Sequence, residues 1–365
     1  MALPKLFTKR FLGIDIGTSA VRIVELSKQA QKLELTHYGE IRNESFQEEA
    51  SKVAKKGMVF FSAKDIGEII RAILEEARIK TRTCAFSVPD FSTFFTNFKL
   101  PPMTKKELGE AVIFEARQHI PLPLDSVTID WNLVGGSFDK PSELEVILAA
   151  IPNEIIDQYK EIAAFAHLEI AALEAEVFGL SHSLTREKDD GLVCVVDIGT
   201  QSTTCSIIEK RMLKTSYSFD IAGNRLIDDI CDKMSLGSKM SQEIKMKYGV
   251  RFFSMLDPRL REKFQKAITD SLDPILKEVK QAIQNFYQED NREVKKIIIA
   301  GGTSILPGVK EYFKSYFNKE TEVANPFQDL IYPDVLEKEL KEMGPFFSVA
   351  VGMAKKGLEL KNKQH

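Results

Sequence analysis

A strand-like apolar run that breaks into Asp-Ile-Gly-Thr occurs twice, about half a chain apart, and this repeat narrows the possible folds more than any other feature. Residues 11–26 read FLGIDIGTSAVRIVEL and residues 192–208 read LVCVVDIGTQSTTCSII. Each copy is a buried-looking strand, then an aspartate, a glycine and small hydroxylated residues, then a second β-rich run. Self-similarity of this kind marks two copies of one supersecondary unit. The chain is therefore expected to build two similar α/β lobes, each opening on a strand–turn–strand. Its 365 residues suit two or three compact domains.

Between and around the repeats the periodicity changes. Ile66, Ile69, Ile70, Ile73, Leu74 and Ala77 fall on one face of a helix expected over 65–78. A separate module is expected at 82–152, inserted in lobe one. There Thr104 and Glu107 form a capping-box signal, the helix runs through His119, and Pro121 and Pro123 stop it. Val127, Ile129, Trp131 and Leu133 alternate as a half-buried strand, and Leu144 to Ile151 return as a second one after Gly135-Gly136. Phe91, Phe94, Phe95 and Phe98 read as a strand with a core aromatic cluster, or as the lining of a partner groove. An Ala-rich helix and a connecting helix span 153–183. Residues 221–290 read as helical, with Asp273-Pro274 expected to open a helix. Lys296–Ala300 is a buried strand entering Gly301-Gly302-Thr303-Ser304, and a last helix runs from Phe346 to Leu358. The expected division is 1–81 with 153–187 as lobe one, 82–152 as the insert, and 188–365 as lobe two.

The bulk chemistry excludes several classes. A net charge of -3 carries no face-sized basic excess for nucleic acid. The clusters at Lys5, Lys9, Arg10 and at Lys355, Lys356, Lys361, Lys363 read as solvated termini. Cys84, Cys194, Cys205 and Cys231 are far apart, with no CxxC pair, which fits a reducing compartment. Neither a secretory signal nor an apolar run of membrane-spanning length is visible, so a cytoplasmic location is expected.

A strand ending in Asp-Ile-Gly-Thr-Ser has a definite chemistry. Gly17 permits a tight turn and close backbone approach. Successive N–H groups there can cradle a phosphate, with the hydroxyls of Thr18 and Ser19 as further donors. Asp15 can hold Mg²⁺ through the ion's waters, because Mg²⁺ dehydrates reluctantly. Asp197, Gly199 and Thr200 repeat the device. Gly301, Gly302, Thr303 and Ser304 supply a third glycine turn after a strand, on which an adenine or ribose could lie.

In this order the residues resemble the actin–hexokinase–chaperone superfamily of ATPases. Asp15–Ser19 is similar to its first phosphate turn, Asp197–Thr200 to the second and Gly301–Ser304 to the adenosine turn. The helix around Ala171–Leu180 resembles the first connecting helix, and Phe346–Gly357 the second. Gly223-Asn224 matches a phosphate-proximal glycine. SQEIKMKYG (241–249) resembles the ribose-holding helix: Lys245 matches its lysine, while Gln242 stands where an acid is usual, and an amide can still bond ribose hydroxyls. The size and place of the insert, together with LPPMTKKELGEAVIFEARQHIPLPLDSV (100–127), Asp130-Trp131, AIPNEIIDQY (150–159) and ALEAEVFGL (172–180), resemble the FtsA/PilM branch and its PilM members in particular.

That resemblance implies a two-lobed actin-like fold with ATP and Mg²⁺ bound between the lobes, Mg²⁺ near Asp15 and Asp197. It implies a cytoplasmic scaffold of a type IV pilus assembly platform, at the inner face of the inner membrane. The implied partner is the cytoplasmic N-terminal peptide of the membrane protein PilN, bound between lobe one and the insert; other platform or motor proteins and self-association are further expectations. Glu176 stands where some relatives carry a catalytic or water-positioning acid; the alternative is a surface helix carboxylate. ATP binding with at most weak turnover is expected. An FtsA-like filament-forming division protein and an ATPase or kinase of the same superfold remain open. The tail KKGLELKNKQH, without aromatic anchors, speaks against FtsA.

Overall fold

The computed structural model describes residues 9–29, 32–42, 62–139, 142–235, 237–250 and 258–363. Lys5 and His365 lie outside the described residues. The chain packs as two compact units. The first takes in the described residues of Met1–Thr93, Ile151–Leu184 and Asn325–His365, the second those of Phe94–Ala150 and Thr185–Ala324.

In the first unit, β1 (Lys9–Ile16), β2 (Ala20–Gln29) and β3 (Lys32–Arg42) form an antiparallel meander. Helix α1 (Ala63–Glu76) follows, capped by the Ser62 side chain, then β4 (Thr83–Val88). After an excursion into the second unit the chain returns as α3 (Asn153–Ala166), β8 (Glu169–Ala175) and α4 (Glu176–Leu184). It closes with β14 (Leu330–Ile331) and α9 (Glu337–Lys363). The sheet order is β14-β3-β2-β1-β4-β8, with β4 and β8 parallel to β1. Leu12, Ile14, Ile23, Ile66, Ile70, Phe86, Tyr159 and Ile162 fill the core beneath α1 and α3. The opposite sheet face takes α9, where approach is backbone to backbone. A β-carbon added at Gly13 would lie 1.9 Å from the Ala350 carbonyl oxygen, and one at Gly352 1.8 Å from that of Gly179 on α4. Within the sheet the buried Glu25 carboxylate takes hydrogen bonds from Thr36, Thr81 and His37 beside the Arg10 guanidinium. Burial alone would raise its pKa, and these donors hold it below the ordinary value.

The second unit repeats the plan. It comprises β9 (Leu192–Ile198), β10 (Thr203–Glu209), β11 (Met212–Phe219), β12 (Val294–Ala300) and β13 (Glu320–Val323). Their order is β11-β10-β9-β12-β13, again third-second-first and then two parallel strands. Between β11 and β12 stand α5 (Gly223–Met234), α6 (Ser238–Tyr248) and α7 (Pro258–Asp290); α8 (Val309–Phe317) follows β12. Phe264, Ile268, Leu272, Leu276 and Val279 of α7 pack on Val196, Ile207 and Ile299 of the sheet. The three-stranded sheet β5-β7-β6 belongs to the same unit. It comprises β5 (Phe94–Leu100), β6 (Val127–Gly135) and β7 (Leu144–Pro152), covered by α2 (Lys105–His119). The capping box at Thr104 and Glu107 is formed. This module meets the edge strand β11. The Asn97 amide donates to the Lys214 carbonyl, and the buried Lys214 ammonium donates to the Val134 carbonyl and faces Glu209 at 3.5 Å.

Several local expectations need correction. Asp273-Pro274 does not open a helix: Pro274 sits inside the 33-residue α7, since Leu272, Ile275 and Leu276 on both sides of it are buried in the core and Asp273 accepts from the Tyr312 hydroxyl instead of capping. Ala171–Ala175 is strand, paired parallel with β4, and the helix begins at Glu176. The last helix extends well beyond 346–358, with Pro345 inside it. Of the phenylalanines, Phe98 is core, whereas Phe91 and Phe94 are exposed. Lys355 is no solvated terminus; it is buried and donates to the Ser183 and Pro326 carbonyls.

Candidate functional site

The two Asp-Ile-Gly-Thr turns close in the same way. Gly17 N–H donates to the Ala20 carbonyl and Gly199 N–H to the Ser202 carbonyl, each at 3.0 Å, so each glycine sits at the head of a tight hairpin. Thr18, Ser19 and Thr200 are half-buried on the turns.

In the second unit further elements converge on this turn. Parallel pairing places Ala300 of β12 opposite Asp197 of β9, so Gly301 emerges directly beside the aspartate. Gly301 has φ +75°, and a β-carbon there would meet the Ile198 carbonyl oxygen at 2.4 Å and Asp197 Oδ1 at 2.5 Å. Only glycine suits that position. The first N–H groups of α5 are tied to the turn: Gly223 donates to Gly199 and Asn224 to Thr200, both at 3.0 Å. Those donors are committed, so α5 positions the turn. Lys245 on α6 brings a cation to α5: it donates to the Gly223 carbonyl at 2.9 Å and is 6% exposed. Burial lowers its pKa to about 8. One helical turn earlier, on the same face, Gln242 holds a buried Oε1 with no hydrogen-bond partner among the described residues. Thr303 is buried, and its hydroxyl lies 2.7 Å from where a Gly223 β-carbon would stand; the Ser304 hydroxyl closes its own turn onto Gly301, and Gly302 is half-buried between them. The structure thus brings Asp197, Gly199, Thr200, Gly223, Gln242, Lys245 and Gly301–Ser304 to one region of one unit.

In the first unit the carboxyl ends of the parallel strands β1, β4 and β8 bring Asp15, Ser87 and Glu176 to one edge of the sheet, where open α/β sheets bind ligands. Asp15 is buried; it accepts from the Ser87 hydroxyl at 2.8 Å and faces the Arg22 guanidinium at 3.6 Å. Burial pushes its carboxyl above the ordinary value against the pull of Arg22 and Ser87. Arg22 also pairs with Glu40 at 2.8 Å and lies over the Phe346 ring of α9. Glu176 Oε2 accepts from the Asp90 N–H, while Asp90 Oδ1 accepts from the Val177 N–H, so the two acids cap each other's segment. Arg22, Ser87 and Asp90 were not singled out from the sequence. Arg22 had a signal, since it stands directly across the hairpin from Asp15; Ser87 and Asp90 had none, because only tertiary packing places them.

Nucleotide chemistry fits the second unit's residues. The unpaired Gln242 acceptor suits a ribose hydroxyl, and the buried Lys245 supplies a cation one helical turn away on the same face. For magnesium the fit is narrower. Among the described residues no group of three or more His, Cys, Asp or Glu could hold a metal ion, and Asp15 already has Arg22 beside it. The residues suit a hydrated ion carried by phosphates, touched by single carboxylates through water.

Comparison with known proteins bears on this arrangement. A family model described as "Type IV pilus assembly protein PilM" matches residues 13–358. The chain is similar to the cell division protein FtsA of Pseudomonas aeruginosa, 21% identical with 96% of this chain and 90% of that protein covered. It is also similar to a solved PilM-PilN type IV pilus biogenesis complex, with a TM-score of 0.78, 23% identity, and 95% of this chain and 98% of that one covered. A third likeness is to MreB 5 of Spiroplasma citri bound to AMPPNP, with a TM-score of 0.52, 13% identity and 98% of each chain covered. The fold is the actin-like, duplicated α/β fold that the resemblance implied. Among the described residues no helix is long and apolar enough to cross a membrane.

Proposed function

Because the chain belongs to the type IV pilus assembly protein PilM family, we propose that it is a nucleotide-binding scaffold of a pilus assembly platform. In this reading ATP with Mg²⁺ engages the turns at Asp15–Ser19 and Asp197–Thr200, with its adenosine end on Gln242, Lys245 and Gly301–Ser304. The observation that carries the nucleotide half is the gathering of Asp197, Gly223, Lys245 and Gly301 around one turn, beside the unpaired Gln242 acceptor. Bound magnesium would neutralise phosphate charge, and the chain's own residues orient and bind. Turnover is weak in this reading, since Glu176 is engaged in capping Asp90.

The partner half draws on a different support. The similar solved structure is a complex of PilM with PilN, and we carry that partner over as the N-terminal cytoplasmic peptide of a PilN-type membrane protein. An extended peptide in an apolar groove is a recurring mode of recognition. The scaffold would then work at the cytoplasmic face of the inner membrane, held there through its partner. Titration of a synthetic PilN N-terminal peptide, followed by fluorescence anisotropy with and without ATP, is expected to give saturable binding. Absence of binding to the folded protein refutes the partner assignment. The FtsA likeness over 96% of the chain favours a second reading, a filament-forming division protein. ATP-dependent filaments in sedimentation and negative-stain images would select it.

A further inference from the structure

Helix α2 has two unlike faces. Leu108, Val112 and Ala116 are buried in the core of the three-stranded module. On the opposite side Glu110, Ile113, Phe114 and Arg117 stand at i, i+3, i+4 and i+7 and so share one exposed stripe. Ile113 is 41% exposed and Phe114 66%. Gly109 flanks the stripe, with nothing within 4 Å of where its β-carbon would stand. A glycine in mid-helix costs about 1 kcal/mol against alanine, and no neighbour among the described residues requires one there. It leaves a notch beside Ile113.

The charges at the two ends of the stripe indicate what covers it. Among the described residues neither Glu110 nor Arg117 has an ion pair or a hydrogen bond, whereas Glu115 on the flank is engaged by His119 at 3.3 Å. Along their own helix the two charges lie about 10 Å apart, too far to pair. Acid, apolar pair and base in that order are self-complementary. A second copy turned about a two-fold axis between Ile113 and Phe114 runs antiparallel and sets Glu110 of each copy against Arg117 of the other. Ile113 of each then faces Phe114 of the other, with the Gly109 notch open to the ring. We propose that this face of α2 docks a second copy of the chain and forms a closed two-fold dimer. Both copies use the same patch, so the contact closes on itself and cannot propagate as a filament contact does. It is independent of nucleotide. A single helix face makes a small, transient class of interface, with a dissociation constant on the order of 100 μM.

The test is sedimentation equilibrium of the full chain from micromolar to millimolar concentration, with Glu110→Arg and Arg117→Glu measured alone and mixed. Both side chains are exposed, so circular dichroism of each variant should match the parent. The parent is expected to reach a dimer and no further. Each variant alone sets like charges against each other at both pairs and should associate about ten- to thirtyfold more weakly. In the equimolar mixture every pair is again opposite in sign, and association should return to within about threefold of the parent. A parent that stays monomeric at millimolar concentration overturns the inference. Variants that associate as well as the parent, a mixture no stronger than its components, or growth beyond the dimer overturn it too. If the parent is monomeric and the variants lose the peptide titrated above, the face belongs to that peptide.

Discussion

Replacing Lys245 with methionine should make the ligand-free protein more stable and its nucleotide binding weaker. The ammonium is almost fully buried and donates to the Gly223 carbonyl. Burial lowers its pKa from 10.5 to about 8. Between those two values the unfolded chain holds a proton that the folded protein has shed, so stability rises with pH across that window. Below pH 8 both states are charged and the folded protein bears the whole cost of burial. That cost is about 3 kcal/mol, which methionine, similar in volume and uncharged, removes. Urea denaturation of both proteins from pH 7 to pH 10 is the assay. The variant is expected to gain about 2–3 kcal/mol at pH 7, with the gap closing towards pH 10. The negative charge of a bound nucleotide draws the pKa of Lys245 back up, so nucleotide binding by the parent takes up a proton above pH 8. Calorimetric heats then depend on the buffer's ionisation enthalpy in the parent and not in the variant. Parallel stability curves for the two proteins from pH 8 to 10, or a less stable variant at pH 7, would refute the assignment.

Three other substitutions test the frame. Gly301→Ala places a β-carbon at φ +75° against Asp197 and is expected to cost about 2–3 kcal/mol and to abolish fluorescent-nucleotide binding. Gly352→Ala drives a methyl into the Gly179 carbonyl; thermal unfolding should show a loss of about 3 kcal/mol or more, with α4 and α9 gaining amide exchange first. Glu25→Gln loses a carboxylate whose lowered pKa contributes stability above pH 4.5, a contribution lost as pH falls through the folded value. The variant should be the less stable at pH 7 and match the parent in acid, as read by circular dichroism.

Much of this was legible in the sequence because it is local. The twin hairpins follow from apolar runs broken at Asp15 and Asp197, and the capping box at Thr104 from a three-residue spacing. Where the expectations failed, packing overrode local propensity. Pro274 looks like a helix start, yet buried neighbours on both sides carry α7 through it. Ala171–Ala175, counted with the connecting helix by resemblance, instead pairs with β4, a partner some 85 residues away in the chain. The site divides in the same manner. Its turn glycines and Lys245 could be read from short motifs, whereas Ser87 and Asp90 reach Asp15 and Glu176 only through the parallel strand order, which no short window contains.

The docking of α9 on the sheet of the first unit bears on how the chain is made. β1 and β2 leave the ribosome early, but the helix that covers their face is the last element described, about 300 residues later, an interval of about 15–60 s at bacterial synthesis rates. Throughout that interval Gly13 and its apolar neighbours have no lid, while all segments of the second unit are already out by Ala324. The second unit can therefore fold during translation before the first, which cannot be finished until α9 has emerged. An arrested nascent chain ending before Glu337 should bind a holdase chaperone through its first unit, and a full-length chain should not.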